Sequence, residues 1–188
     1  MSANFATSKA FENQWRVNPS MAKTLLDSLS PLYPSNKPLA VHWSHPINDR
    51  NSGVDAFIEF SGCIIQKVDF KFRSHNSAVD WVTIETVDNI EKNQIGWAGK
   101  PTQANDFVFV RALPNGVITD VLRIDAIALR ELVCTRLDDL RAVGTVKRAA
   151  SFGKFGKWNG EFVVLSPDAL EALLPNKVKA VKLTGGAQ

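Results

Sequence analysis

Two aspartates and a lysine, Asp55, Asp69 and Lys71, combine residue types and spacing that suit one kind of chemistry. Asp69 and Lys71 flank Phe70 in "CIIQKVDFKFRS", a stretch with strand alternation, and Asp55 lies fourteen positions earlier (69 − 55) in "GVDAFIEF". Successive side chains of a strand point to opposite faces, so Asp69 and Lys71 project side by side, with Lys67 and Arg73 on the same face. Ile64, Gln66, Val68, Phe70 and Phe72 form the other, core-like face. Charge on a half-buried strand is costly unless it is paired, hydrogen-bonded or bound to a metal. Two carboxylates with an ammonium beside them suit a hard divalent cation. Mg2+ takes oxygen ligands, keeps several waters, and is held by one or two carboxylates plus substrate phosphate. Such a cation lowers the pKa of a bound water and offsets charge at phosphorus, while a lysine orients or helps deprotonate that water. The chemistry this permits is phosphodiester hydrolysis.

Whether Asp55 meets Asp69 depends on the turn at Ser61-Gly62-Cys63. A two-residue Ser61-Gly62 turn pairs Phe60 with Cys63 and puts Asp55 on the wrong face. A three-residue turn, or one bulge, pairs Phe60 with Ile64 and brings Asp55 opposite Asp69. The sequence leaves both registers open.

The elements that must carry these residues follow from periodicity. Residues 4–15 read as a helix through Phe5, Phe11 and Trp15, and "NPSMAKTLLDSLSPLY" as a second, with Asn18 as cap and Pro19 in the first turn. Strands are expected at Leu39–Trp43, Val54–Phe60, Ile64–Phe72, Trp81–Val87, Phe107–Ala112 and Val117–Ile124. Helical spacing returns through Ile127, Leu129, Leu132, Val133 and Leu137. A basic, glycine-containing loop over Thr145–Asn159, a short strand at Phe162–Leu165, and a helix capped by Ser166 complete the pattern. The expected fold class is α/β (α+β): a central mixed sheet flanked by helices, in one domain over residues 1–176, with 177–188 as a basic, frayed tail.

Composition narrows the classes. The chain has 188 residues, 45% hydrophobic and 22% charged, as globular proteins do. A net charge of +3 permits a polyanionic partner without demanding one. The two cysteines, Cys63 and Cys134, are far apart and without metal-ligand spacing, which argues against zinc and a disulfide framework. No run approaches the ~18 apolar residues of a spanning helix, so a soluble, cytoplasmic protein is the expectation. His42, His45 and His75 have no partners at metal or triad spacing, and no phosphate-cradling glycine loop is present.

Asp55 followed by Asp69-Phe70-Lys71 resembles the PD-(D/E)xK nuclease superfamily of restriction-type and junction-resolving enzymes. "WVTIETVDN" followed by "IGWAGKPTQANDFVFV" is similar to a stretch of phage and restriction-related members. There an acidic strand precedes a Gly-Trp loop and then a strand starting near an aspartate. In element order the resemblance covers Phe5 to Leu140, and Val54 stands where the family motif has proline. It implies a restriction-endonuclease-like fold and a Mg2+-dependent endonuclease acting on DNA, with Mn2+ as a substitute. By it, Asp55 and Asp69 are metal ligands, Lys71 is the catalytic lysine, Glu85 is a further metal-binding acid, and Glu12 matches the first-helix acid of many members. A homodimer would suit an enzyme that cuts both strands.

A second group points to the same partner. Lys147, Arg148, Lys154 and Lys157 interleave with Phe152, Phe155 and Trp158 in "VKRAASFGKFGKWNGE". Cations contact phosphates while aromatics such as Trp158 stack on bases, and Lys67 and Arg73 add positive charge beside Asp69. The competing reading is a non-catalytic module that grips nucleic acid or another protein with a nuclease-like fold.

Overall fold

A computed structural model describes residues 13–45, 52–74, 80–153 and 156–183, the side chains of 150–158 excepted. Phe5, Phe11, Glu12, Asp49 and His75 lie outside the described residues. The chain divides into two compact units that interleave in sequence.

One unit holds residues 5–75, 102–126 and 179–188. Residues 13–17 are helical, and α1 (Pro19–Leu29) follows directly. The Asn18 side chain accepts from the Ser20 and Met21 N–H groups at 3.0 and 3.5 Å, satisfying donors that a helix start leaves without intrahelical partners. The strands β1 (Pro38–Trp43), β2 (Ala56–Phe60), β3 (Ile64–Ser74), β6 (Asp106–Ala112), β7 (Ile118–Asp125) and β10 (Val178–Lys182) form a sheet in the order β1-β2-β3-β6-β7-β10. The β1–β2, β2–β3 and β6–β7 pairs are antiparallel and β3–β6 is parallel, so the sheet is mixed. The other unit holds residues 76–101 and 127–178 with the first four residues. Its sheet runs β5-β4-β9-β8, built from β4 (Val82–Asn89), β5 (Gln94–Ile95), β8 (Thr145–Gly153) and β9 (Gly156–Leu165) in antiparallel pairs. Helices α2 (Ala126–Thr135), α3 (Leu137–Val143) and α4 (Pro167–Leu173) complete the described elements. The mixed α+β class expected from sequence is what the chain adopts.

Three expected elements differ. The basic stretch 145–159 is not a loop but the β8–β9 hairpin, turning between Gly153 and Gly156. The helix expected through Leu137 breaks at Arg136, whose φ of −134° and ψ of 35° are not helical. Residues 178–182, read as part of a tail, form the edge strand β10; Val178 is buried and the Leu183 N–H donates to the Thr119 carbonyl at 2.8 Å.

The core against β3 is aromatic. Trp15 stacks on Phe72 with centroids 5.6 Å apart, Trp43 tilts over Phe70 at 5.3 Å, and Leu25, Leu29, Ala56, Ile58 and Val68 close around them. Each such side chain contributes roughly 1.5–3 kcal/mol on burial. A buried carboxylate borders this core. Asp106 Oδ2 accepts from Tyr33 Oη at 3.1 Å and Gln66 Nε2 at 2.8 Å. Burial pushes the Asp106 carboxyl above the usual carboxylate range, against the pull of Gln66, Arg123 and Tyr33.

Burial, then the Asp106 charge and hydrogen bond, hold the Tyr33 phenol far above its ordinary value. The unfolded phenol ionises first, at about pH 10, so this stability is complete below that pH and lost as pH rises beyond it. The thermal midpoint should fall steeply above about pH 10, and Tyr33→Phe should lessen that fall. Tyr33 is the chain's one tyrosine, so tyrosinate absorbance reports on it alone. Ionisation at an ordinary pH in the folded protein would contradict the buried placement.

Candidate metal and phosphate site

The turn between β2 and β3 takes the three-residue form. Ser61, Gly62 and Cys63 make one 3-10 turn, and Phe60 pairs with Ile64, Ile58 with Gln66, and Ala56 with Val68. Two left-handed residues in a row achieve this, Gly62 at φ 76° and Cys63 at φ 59°. Ala56, Ile58 and Phe60 enter the aromatic core beside Val68, Phe70 and Phe72. Continued by one position, this register sets Asp55 opposite Asp69 at the end of the β2–β3 ladder.

Just before β2 the chain leaves the regular ladder. The Asp55 N–H donates to the Val68 carbonyl at 2.9 Å, and Asp55 Oδ2 accepts from the Phe70 N–H at 2.8 Å. The carboxylate thus takes the place of a strand acceptor, and its position is fixed against the residue next to Asp69. Its other oxygen, Oδ1, lies 3.3 Å from Arg16 Nη2. Lys71 Nζ donates to both Asp69 oxygens, at 2.7 and 2.9 Å, and lies 5.9 Å from the Phe107 ring centroid. Asp55 and Asp69 are buried and Lys71 is half-buried.

The same face continues along β3. Arg73 donates to the Phe72 carbonyl and its guanidinium lies 6.0 Å from the Phe109 ring centroid. Arg73 stands in register with Arg111, whose charge is matched by Asp120 at 2.7 Å. Lys67 is half-buried beside Phe57, and its backbone N–H donates to Asn105 Oδ1 at 2.9 Å.

Donor chemistry fits a hard cation at Asp55 and Asp69: two carboxylates, no sulfur, no imidazole. Among the described residues no group of three or more His, Cys, Asp or Glu side chains is arranged to hold a metal. A cation on two carboxylates would complete its shell with water and substrate phosphate, which is how Mg2+ is ordinarily bound.

Glu85 lies in the other unit, on β4. Its Oε1 accepts from the Trp97 N–H at 3.2 Å, while its carbonyl faces Gly96 so closely that a Cβ there would collide with it. Glu85 therefore anchors the Gly-Trp loop. Lys147 and Arg148 are exposed on β8, the edge of its sheet, and as successive residues they point to opposite faces. Arg148 lies 3.9 Å from buried Glu161, which Arg141 also holds at 2.6 Å. Lys154 and the side chains of Lys157 and Trp158 lie outside what is described. The residue that sequence reasoning missed is Arg16. Its only signal was its place one residue after Trp15 in an amphipathic helix.

The turn that sets the register is testable on its own. A Cβ at Gly62 meets nothing within 4 Å, so Gly62→Ala acts through backbone strain alone and should cost about 1 kcal/mol in denaturant unfolding. Cys63→Gly should gain a similar amount, about 1 kcal/mol, by relieving the same left-handed strain. Opposite signs would place the turn in another conformation.

No protein-family model matches the chain, and no curated protein matches it significantly.

Proposed function

We propose that the chain is a metal-dependent endonuclease-like protein of restriction-endonuclease-like fold, hydrolysing phosphodiester bonds in DNA at the Asp55, Asp69 and Lys71 face. The observation that supports this reading is the β2–β3 register, which continued by one position brings Asp55 opposite Asp69, together with the Lys71 ammonium bonded to both Asp69 oxygens. Asp55 and Asp69 would hold Mg2+ or Mn2+, which when bound lowers the pKa of a water and offsets charge at phosphorus. The chain's own residues do the rest. The Phe70 N–H fixes the Asp55 carboxylate, so one donor set is positioned before any substrate arrives. Asp69 aims the Lys71 ammonium along the same face, where it would donate a hydrogen bond to the attacking water and orient it, the water's proton passing to solvent. Lys67 and Arg73 on β3 supply phosphate contacts beside the site; in the other unit, Lys147, Arg148, Lys154, Lys157 and Trp158 of the β8–β9 hairpin are separate candidates for phosphate and base contacts. Glu85 serves in this reading as the support of the Gly-Trp loop. It is not assigned as a third ligand.

One observation favours the second reading, a nucleic-acid-binding module without catalysis. Both carboxylates already have cationic partners, Arg16 and Lys71. A purely structural charged face would be built the same way. Affinity for nucleic acid that falls steeply with salt and needs no metal would support it.

The test is cleavage of plasmid and of single-stranded DNA with Mg2+ or Mn2+. Chelation should abolish it. Asp69→Asn and Lys71→Ala should each lower the rate by about 100-fold or more, with an unchanged circular dichroism spectrum. Equal activity in folded variants would sink the mechanism.

A further inference from the structure

Arg16 reaches the site from the helical stretch 13–17, one residue after the fully buried Trp15. Among the described contacts, two hold its guanidinium. Nη2 lies 3.3 Å from Asp55 Oδ1, and Cζ lies 4.9 Å from the Trp43 ring centroid. Trp43 in turn packs on Phe70 and Phe72, the residues on either side of Lys71, at 5.3 and 6.4 Å. The position of this cation is therefore built into the core. Its side chain is 15% exposed and that of Asp55 10%, so water screens the pair only in part.

We infer that Arg16 is the resident counter-ion of the site: it neutralises Asp55 while no metal is bound, and a divalent cation must displace it to reach that carboxylate. The inference rests on the reading of Asp55 and Asp69 as metal ligands. Arginine keeps its proton at every working pH, so it cannot yield the carboxylate by becoming neutral, as a lysine can. It has to move. Among the described contacts each carboxylate is paired with a cation, Asp55 with Arg16 and Asp69 with Lys71. An arriving divalent cation competes with a charge already in place. A nearby opposite charge changes a carboxylate's affinity for a proton about tenfold or more, and it opposes a second cation in the same sense. Arg16 is thus a positioning residue that sets the metal threshold of the site.

The experiment compares Mn2+ binding by calorimetry, and the Mn2+-induced rise in thermal midpoint, in the wild type, Arg16→Gln and Arg16→Lys. Without metal, Arg16→Gln should melt lower, because Asp55 has lost its partner. It should bind Mn2+ about tenfold more tightly and gain more in midpoint from Mn2+ than the wild type does. Arg16→Lys, which keeps the charge, should stay close to the wild type in affinity. If Arg16→Gln does not fold, Arg16→Met, which keeps an apolar contact with Trp43, serves the same comparison. A variant that melts lower but binds Mn2+ as the wild type does would overturn the counter-ion role and leave the metal site standing. A wild type whose Mn2+ binding is absent, or survives Asp55→Asn unchanged, would overturn both.

Discussion

Negative charge held out of water on one face of β3 is the constraint on which the rest of this unit depends. Asp55, Asp69 and Asp120 are each below a tenth exposed, and Arg111 is buried among them. A buried carboxylate stripped of its partner costs about 3–5 kcal/mol, a large share of a domain's net stability. Each carboxylate here is matched: Asp55 by Arg16 and the Phe70 N–H, Asp69 by Lys71, Asp120 by Arg111. Where two arginines stand abreast, Arg73 and Arg111, one is taken by Asp120 and the other lies over Phe109. The aromatic floor contributes twice, as apolar burial and as a negative π-face for Lys71 and Arg73.

This matching reaches back into the chain. The three-residue turn is needed to bring Asp55 opposite Asp69, and the residues before α1 are needed to bring Arg16 to Asp55. The opposite face supplies the leverage. Trp15 and Trp43 both pack on Phe72, so the core that seats the N-terminal helical stretch also seats the ring under the Arg16 guanidinium. Core and charged face are two sides of one alternating strand. A slip of one residue would bury Lys71 where Phe70 lies.

Alternation was legible from the residues alone, because β3 repeats apolar and charged side chains over its whole length. So were the caps at Asn18 and Ser166, whose side chains bond the backbone as their types foretell. The register was not legible. The core pattern favours the three-residue turn only weakly, because Phe57 and Ile65 blur it, and the deciding residue, Cys63 at φ 59°, is a type with no preference for that region. The β8–β9 hairpin was hidden for a related reason: glycine and lysine are depleted in strands, and pairing with β4 through β9 overrides that tendency. Arg16 was hidden because its partner is thirty-nine residues away. The division into two units was hidden because each is assembled from separated segments. Glu85 was visible as an acid on a strand, but its bond to the Trp97 N–H belongs to a loop whose path no local pattern gives.

On the proposed reading, the pairing of both carboxylates has a consequence for when the site fills. Two carboxylates alone would attract a divalent cation strongly. With Arg16 and Lys71 beside them they bind it more weakly, since the cation adds an excess of positive charge in partly buried surroundings. That excess is the charge a nucleic-acid backbone offsets, with one phosphate per nucleotide and a strong field around it. Metal and polyanion then bind with mutual support, because each removes the electrostatic cost of the other. The guanidinium that leaves Asp55 has a fork geometry that suits a phosphate oxygen pair. On that reading, a site whose carboxylates are already paired is poised for a substrate that brings negative charge with it.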